Sequence, residues 1–371
     1  MTDLDTSARL HARVLACMEA FGRGAPAPET FDELACDIAR YQARNVGGYA
    51  RLWEVRKIDP SAVELARQVP AVPTEAFKLA RVFAFAENEA RAIFRTSGTT
   101  IGARGTHWMR DARTYAMASR TFGGRMLMAD LELPTDIVVL GPSDAEAPDS
   151  SLAFMFGEFV RAWARPAAPE QTFFVRQGVL DIGGLRARLS AIRGTRPVTI
   201  LATSFALVHL LDALGSDSLP LAPQSRVMQT GGTKGKSRSV PADVLRRAVA
   251  HAFAIDPRAV VTEYGMTELS SQFWEATLAD PRALPGVYVE PPWARVVAVD
   301  PETLQPVAPG NPGVARIEDL ANVDSAFAVL AQDRVRRVDG GFELLGRLPG
   351  APPRGCSIAL DELVAAQQDE P

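Results

Sequence analysis

Two phrases rich in hydroxyl side chains and glycine carry the residue types best suited to chemistry. The first, residues 96–106, reads TSGTTIGARGT. Glycines leave backbone amides open to an anion, and the hydroxyls beside them can wrap phosphate oxygens. The candidate phosphate contacts are Ser97, Gly98, Thr99, Thr100, Gly102 and the positively charged Arg104. Because Gly and Thr are also common turn residues, an ordinary flexible surface loop is the alternative interpretation.

The second phrase, residues 263–268, reads EYGMTE. Tyr264 offers an aromatic face to a flat base, and the Thr267 hydroxyl can hydrogen-bond an α-phosphate. Glu268 supplies oxygen ligands of the kind that Mg²⁺ prefers. The alternative is a strand that ends before a helix, with Thr267 as the helix cap. Taken together, the two phrases predict ATP-dependent activation of a carboxylic acid as an acyl-adenylate.

The composition limits the class of protein. The chain has 371 residues, of which 47% are hydrophobic, a net charge of −4 and a pI of about 5.7. This is typical of a globular enzyme with one large or two unequal domains, and it argues against a nucleic-acid partner. We find no secretory signal pattern and no run of roughly 18 apolar residues for a membrane span. Three widely spaced cysteines give no disulfide framework, so a reducing cytoplasm is expected.

Short apolar runs alternate with helical stretches from residue 91 onward, which is typical of α/β layers with mainly parallel strands. The predicted strands are 92–94, 136–140, 173–175, 198–201, 226–228 and 259–261. The predicted helices are 5–22, 29–46, 111–128, 151–164, 181–193, 204–214 and 241–253. Ligands of such folds bind beyond the carboxyl ends of strands. The loops 97–105, 230–238 and 263–268 each follow a predicted strand, so we expect them to line one crevice.

The pattern changes after Pro285. Residues 293–299 and 313–317 predict antiparallel strands, and 334–345 predicts a β-hairpin around Asp-Gly-Gly. A Pro- and Gly-rich hinge and a short helix at 358–367 follow. We therefore expect three parts along the chain. They are a helical N-terminal part at 1–90, an AMP-binding core at 91–345, and a hinge with a short C-terminal remnant at 346–371.

The phrases and their order resemble the core motifs of the adenylate-forming superfamily, which includes acyl-CoA synthetases, peptide-synthetase adenylation domains and luciferases. Gly231-Gly232 resembles the glycine pair beside the adenine, and Tyr264-Gly265 belongs to the nucleotide-binding motif. Asp333 lies where the ribose-binding Asp falls, although Ala331 and Gln332 replace its usual Thr-Gly neighbours. Gly346-Arg347 resembles the Gly-Arg beside the interdomain hinge. The resemblance implies the layered α/β adenylate-forming fold, with ATP and Mg²⁺ as cofactors and Glu268 as the metal ligand.

Within the superfamily, the chain is most similar to the acyl-protein synthetases of bacterial bioluminescence operons. The TSGTT loop, the YGMTELSSQ segment, the chain length and a Gly-Cys near the end agree. This implies a fatty acid substrate, an acyl reductase subunit as partner, and Cys356 as the acyl acceptor. One departure is Ala103-Arg104-Gly105 in place of Pro-Lys-Gly, since Arg and Lys are not interchangeable. The large C-terminal domain of most adenylating enzymes, with its catalytic Lys, does not follow here, which favours this branch over a CoA ligase.

Cys356 has a setting that suits a nucleophile. It follows the Pro/Gly hinge, so we expect it to swing toward the adenylate. Arg354 and the start of the predicted short helix favour the thiolate, which is the reactive form. The alternative is a structural remnant, because varied residues occupy this position in ordinary adenylating enzymes.

Other interpretations stay open. A truncated acyl- or aryl-CoA ligase, related to phenylacetate-CoA ligases, would turn over with CoA even without Cys356. A non-catalytic nucleotide-binding subunit that scaffolds a reductase would bind ATP without releasing pyrophosphate. We expect His209, in an apolar helix, to be buried or in an acyl pocket rather than a catalytic base. His107, after the first phrase, either points at the site or is an ordinary strand residue.

Overall fold

The structure is a computed structural model that describes residues 3–96, 104–192, 194–231 and 240–348. The chain divides into two compact units, each built from separate stretches of sequence. The first unit comprises Met1–Phe122, Met266–Gln272 and Val289–Pro371. The second comprises Gly123–Gly265 and Phe273–Tyr288. The sequence-based division at residues 90 and 345 stays a prediction.

The helices follow the apolar periodicity of the sequence. They are α1 Asp3–Gly22, α2 Phe31–Asn45, α3 Tyr49–Val55, α4 Ala76–Leu79, α5 Arg113–Leu127, α6 Ser151–Trp163, α7 Pro169–Thr172, α8 Ile182–Ile192, α9 Ser204–Leu214 and α10 Ala242–Phe253. Three of the longer helices, α2, α6 and α9, begin at hydroxyl caps. The Ser150 side chain accepts from Ala153 N at the start of α6, and Thr203 accepts from Ala206 N at the start of α9, both at 3.1 Å. Such caps satisfy amides that have no partner within the helix. None of the helices in the described ranges is long and apolar enough to cross a membrane.

The strands are mostly short. They are β1 Val72–Pro73, β2 Ala92–Arg95, β3 Thr106–Met109, β4 Asp136–Leu140, β5 Val175–Arg176, β6 Val179–Leu180, β7 Val198–Thr203, β8 Arg226–Thr230, β9 Val260–Tyr264, β10 Phe273–Glu275, β11 Val287–Val289, β12 Ala294–Val299, β13 Pro312–Asp319, β14 Ala328–Val338 and β15 Gly341–Arg347.

The second unit is organised around the parallel strands β4, β7, β8 and β9, which lie side by side in that order. Every residue of β4, β8 and β9 is buried, which is typical of parallel strands packed on both faces. Val138, Ile200, Val227 and Val260 form the centre of its hydrophobic core. β10 pairs antiparallel with β9. The predicted parallel strands at 136–140, 198–201, 226–228 and 259–261 are therefore confirmed.

The predicted strand at 92–94 is confirmed as β2, but it is not one of these parallel strands. β2 pairs antiparallel with β3 in a separate sheet of the first unit. Of the predicted strand 173–175, Phe173 forms an isolated parallel bridge with Val139 of β4, and Val175 belongs to the small antiparallel pair of β5 with β6. Neither β2 nor β5 is buried like a central strand, since only Phe94 of β2 is buried and neither residue of β5 is. A central parallel strand must be apolar on both faces.

The first unit carries an antiparallel sheet in the order β12, β13, β14 and β15. The strands and the hairpin predicted after Pro285 are confirmed. Gly340, with φ of +81°, occupies the turn between β14 and β15, where a side chain would be strained. β1 pairs parallel with β14 and places Val72 opposite Val329. This pairing fixes where α4 begins.

A buried glutamine joins α2 to the connection between β13 and β14. The Gln42 amide donates to Asn322 O at 2.6 Å and to Val323 O at 2.9 Å. Its carbonyl accepts from Phe327 N at 2.9 Å. Gln42 therefore satisfies three backbone groups in the interior of the first unit.

We expect Gln42→Ala to lower the free energy of unfolding by about 2–4 kcal/mol, because buried backbone groups lose their partners. Urea unfolding measures this change. Arg44→Ala, an exposed change on the same helix, is the matched control and should stay within about 0.5 kcal/mol of wild type. Equal stability of the two variants would contradict the role given to Gln42.

Candidate functional site

The ends of the first glycine-rich phrase are held together at the base of the β2–β3 hairpin. Thr96 N donates to Gly105 O at 2.9 Å, and Gly105 N donates to the Thr96 hydroxyl at 2.9 Å. The Arg104 guanidinium donates to Thr96 O at 2.6 Å and to Arg95 O at 3.2 Å. Several predicted site residues lie outside the described ranges: Ser97, Gly98, Thr99, Thr100, Gly102, Gly232 and Cys356.

The second phrase leaves β9 and turns at Thr267 and Glu268, before β10 begins. The alternative of a helix start with Thr267 as its cap is therefore wrong. His107 Nδ1 lies 2.8 Å from Thr267 O. Because a carbonyl only accepts, we assign the ring proton to Nδ1. Burial lowers the pKa of His107 to about 4, so the ring is neutral at physiological pH. Thus His107 is a strand residue that also positions the Thr267 backbone.

Buried polar side chains at the end of β13 and in the β13–β14 connection hold the rest of this turn. Asn322 Nδ2 donates to Glu268 O at 3.0 Å. Asp319 accepts from Ser270 N at 3.0 Å, from Ser271 N at 2.9 Å and from the Ser271 hydroxyl at 2.6 Å. Burial raises the pKa of Asp319 to about 6 despite these bonds, so the carboxylate is ionised above that pH.

The Glu268 carboxyl is buried, with 7% of the residue exposed. Burial raises its pKa to about 7, and Glu75 adds to the increase. The positive charges of Lys78 and Arg347 act in the opposite direction. Within the described residues no cationic side chain forms an ion pair with Glu268, and no three His, Cys, Asp or Glu side chains converge on a metal position. A buried carboxylate in this state suits a cation that is held jointly with another ligand.

Asp333 and Arg347, both predicted from the family motifs, lie opposite each other across β14 and β15. Arg347 Nε donates to Asp333 Oδ1 at 3.1 Å. The Asp333 side chain is 16% exposed and that of Arg347 is 56% exposed. Gly346, with φ of +88°, precedes Arg347 in a backbone conformation that favours glycine.

The second unit contains Tyr264 and Gly231. The Tyr264 ring is buried and lies 6.0 Å from the Phe273 ring and 6.1 Å from the Tyr288 ring. Gly231 follows β8 with φ of +69°, and its carbonyl accepts from the Ser204 hydroxyl at 2.5 Å. Contact of either residue with adenine stays a prediction. The expectation that the loops 97–105, 230–238 and 263–268 line one crevice also stays a prediction.

Next to Tyr264 lies a buried acid that the sequence interpretation did not single out. Glu263 is paired with Thr230 across β9 and β8, and the Thr230 hydroxyl donates to its carboxyl. Burial raises the pKa of Glu263 to about 7. The sequence could have indicated this acid, since Glu263 ends an apolar run and is buried together with the strand that the run forms.

The expected burial of His209 is wrong, whereas a place in an acyl pocket stays a prediction. The residue is exposed on α9, as is Phe205 one turn before it. The buried residues of that helix include Ala206, Leu207 and Leu210, which lie on other faces. Apolar neighbours in sequence did not imply burial, because residues i and i+1 do not share a helix face.

The comparisons with known proteins agree with the motifs. The family model described as "Acyl-protein synthetase, LuxE" matches residues 31–365. A long-chain-fatty-acid–luciferin-component ligase from Vibrio harveyi is 23% identical over 323 residues, covering 83% of this chain and 81% of the relative. The protein of the same name from Aliivibrio fischeri is 20% identical and covers 80% and 79%.

Among solved structures, a 2-hydroxyisobutyryl-CoA ligase in complex with 2-HIB-AMP matches with a TM-score of 0.62 at 14% identity, over 85% of this chain and 68% of that chain. An open conformation of the same ligase matches with a TM-score of 0.60 at 15% identity, over 87% and 76%. At such identity the likeness shows the fold alone. The expected α/β adenylate-forming fold is thus confirmed.

We expect Glu268→Gln to raise the free energy of unfolding by about 1–3 kcal/mol near pH 8 in metal-free buffer. The raised pKa means that the folded state keeps a proton that the unfolded state releases. The contribution of the protonated Glu268 to the free energy of unfolding is therefore fully present below the ordinary glutamate pKa. This contribution is lost as the pH rises through about 7. Denaturant unfolding at two pH values measures the effect, which should shrink below about 1 kcal/mol near pH 5.

Glu54→Gln is the matched control, because Glu54 is exposed on α3 of the same unit. It should leave stability unchanged at both pH values. A Glu268→Gln effect of equal size at both pH values would contradict the assignment of a protonated, buried carboxyl.

Proposed function

The chain belongs to the acyl-protein synthetase (LuxE) family, and we propose that it activates a fatty acid with ATP and transfers the acyl group to its own Cys356. The proposal is carried by the family match over residues 31–365, which spans both phrases and Cys356. The enzyme is a ligase, and pyrophosphate and AMP are its by-products. The two named relatives are ligases of long-chain fatty acids, which supports a fatty acid as the substrate.

In the first half-reaction, a carboxylate oxygen of the acid attacks the α-phosphorus of ATP, and the bond to pyrophosphate breaks. The Thr267 hydroxyl binds the α-phosphate, from a turn that His107 and Asn322 hold in place. By the family motifs, Asp333 binds the ribose beside Arg347, and Tyr264, Gly265, Gly231 and Gly232 bind the adenine side. Ser97, Gly98, Thr99, Thr100, Gly102 and Arg104 bind the β- and γ-phosphates.

The Glu268 carboxyl fits a magnesium role. It is buried and has no cationic partner in an ion pair among the described residues. A single carboxylate together with substrate phosphates is a common way for proteins to hold Mg²⁺. Glu268 would hold the ion, and the ion would supply positive charge to the phosphate oxygens.

In the second half-reaction, the Cys356 thiolate attacks the acyl carbon of the adenylate. A carbon–sulfur bond forms, the carbon–oxygen bond to AMP breaks, and AMP leaves with the electron pair. The thioester then passes to a partner acyl reductase.

The other two cysteines are poor acceptors, which supports this assignment. Cys17 and Cys36 are buried on the apolar faces of α1 and α2, with 8% and 2% of each residue exposed. Burial raises the pKa of both thiols, so little thiolate is present at neutral pH. A reactive thiol needs the opposite environment.

We expect wild-type protein to gain the mass of one acyl group, less water, after incubation with MgATP and a long-chain fatty acid. Intact-protein mass spectrometry measures the adduct, and hydroxylamine should remove it because thioesters are labile to this nucleophile. Cys356→Ser should form no adduct that hydroxylamine removes at that rate, and should still release pyrophosphate. A panel of fatty and aryl acids identifies the acid.

The matched controls are Cys17→Ala and Cys36→Ala, which remove thiols from the same chain and should keep the adduct. Pyrophosphate release without an adduct would mean that CoA or a carrier protein accepts the acyl group. ATP binding without pyrophosphate release would instead indicate a nucleotide-binding scaffold. Either outcome contradicts the proposal.

A further inference from the structure

The chain uses arginine for almost all of its positive charges. Of its 40 Lys and Arg side chains, only four are lysines: Lys57, Lys78, Lys234 and Lys236. Two of them lie in the described ranges, and both are exposed. Of these two, Lys78 lies beside Gly105, at the end of the segment that is predicted to bind phosphate.

The position of Lys78 follows from three packing steps within the first unit. β1 pairs in register with β14, and Thr74 N donates to Leu330 O at 3.1 Å, so α4 begins at a fixed point. On α4, the buried Phe77 ring meets the His107 ring of β3 edge-on at 5.9 Å. Lys78 then lies against the base of the β2–β3 hairpin. A β-carbon placed on Gly105 would lie 3.4 Å from Lys78 Cγ.

The charge of Lys78 is available to a ligand. No carboxylate of the described residues forms an ion pair with Lys78. Its positive charge acts to lower the pKa of the Glu268 carboxyl. The exposed Lys78 side chain therefore lies beside the end of the glycine-rich phrase, and its charge acts on the candidate metal ligand Glu268. A flexible, compact cation of this kind is a common partner of phosphate oxygens.

We propose that the Lys78 ammonium binds the β- and γ-phosphate oxygens of ATP and remains bound to the leaving pyrophosphate. This inference rests on the function proposed above. Lys78 thereby supplies a cation from the first unit for the step in which charge builds on the leaving group.

Arg104 does not make Lys78 redundant. Its guanidinium already donates to the carbonyls of Thr96 and Arg95, so part of its hydrogen-bonding capacity closes the hairpin. Loss of Arg104 should therefore disturb the loop itself. Loss of Lys78 should remove charge and leave the hairpin intact, because its side chain is exposed.

Isothermal titration calorimetry with MgATP, magnesium pyrophosphate and AMP, without any acid, tests the inference through binding alone. We expect Lys78→Gln to weaken ATP and pyrophosphate by about tenfold and AMP by less than about twofold. Lys78→Arg should restore most of the affinity, since the charge returns. Lys57→Gln is the matched control and should change none of the three affinities.

An unchanged affinity of Lys78→Gln for pyrophosphate, or an equal loss of AMP affinity, would overturn the role of Lys78 alone. Failure of the wild type to bind ATP or pyrophosphate would overturn the proposed function as well. The melting temperature of each variant shows that folding is unaffected.

Chemical labelling gives a second readout without substitution. Saturating magnesium pyrophosphate should slow acetylation of Lys78 by an amine-reactive ester by about tenfold, and should leave Lys57 labelling unchanged. Peptide mass mapping resolves the two sites, because lysines are so few in this chain. Equal protection of both lysines, or of neither, would overturn the inference.

Discussion

The turn from Thr267 to Ser271 depends on side chains from distant parts of the chain for its hydrogen bonds. It lies between β9 and β10 in the chain, and Leu269 N donates back to Met266 O, just before the turn. Buried backbone groups must find partners, and here His107, Asn322 and Asp319 provide them. The places of Thr267 and Glu268 follow from this constraint. So does the place of α4, since Phe77 packs on the same His107 ring.

The same burial sets the electrostatics of the site. A carboxyl that is buried without a cationic partner favours its protonated form, as the raised pKa of Glu268 shows. Ionised, it destabilises the folded unit. A cation that binds only the folded state relieves this penalty. If Glu268 holds Mg²⁺ as proposed, the stability that the site lacks without the ion would supply part of its affinity, and proton and metal would compete for the same oxygens.

The sequence predicted those elements whose pattern is unambiguous. The continuous apolar run 136–140 became β4 with the same bounds, and the residues of α9 were predicted without error. The antiparallel pairing of β2 and the exposure of His209 could not be predicted, because an apolar run reveals neither its strand partner nor which helix face is buried. At the site, residue type was enough to single out Thr267 and Glu268. What holds them could not be predicted, because His107 and Asn322 come from far away in the chain.

The two kinds of cation near the turn have different physical roles. Arginine donates in several directions at once, and here it joins parts of the fold: Arg347 bonds to Asp333 across two strands, and Arg104 bonds to carbonyls at the base of a hairpin. A guanidinium fixed in this way stabilises geometry, but it cannot follow a moving group without breaking bonds. Lysine carries its charge on a flexible stem and needs no fixed partner. A leaving pyrophosphate gains charge while it moves away, so an ammonium that is anchored only by its backbone can remain with it.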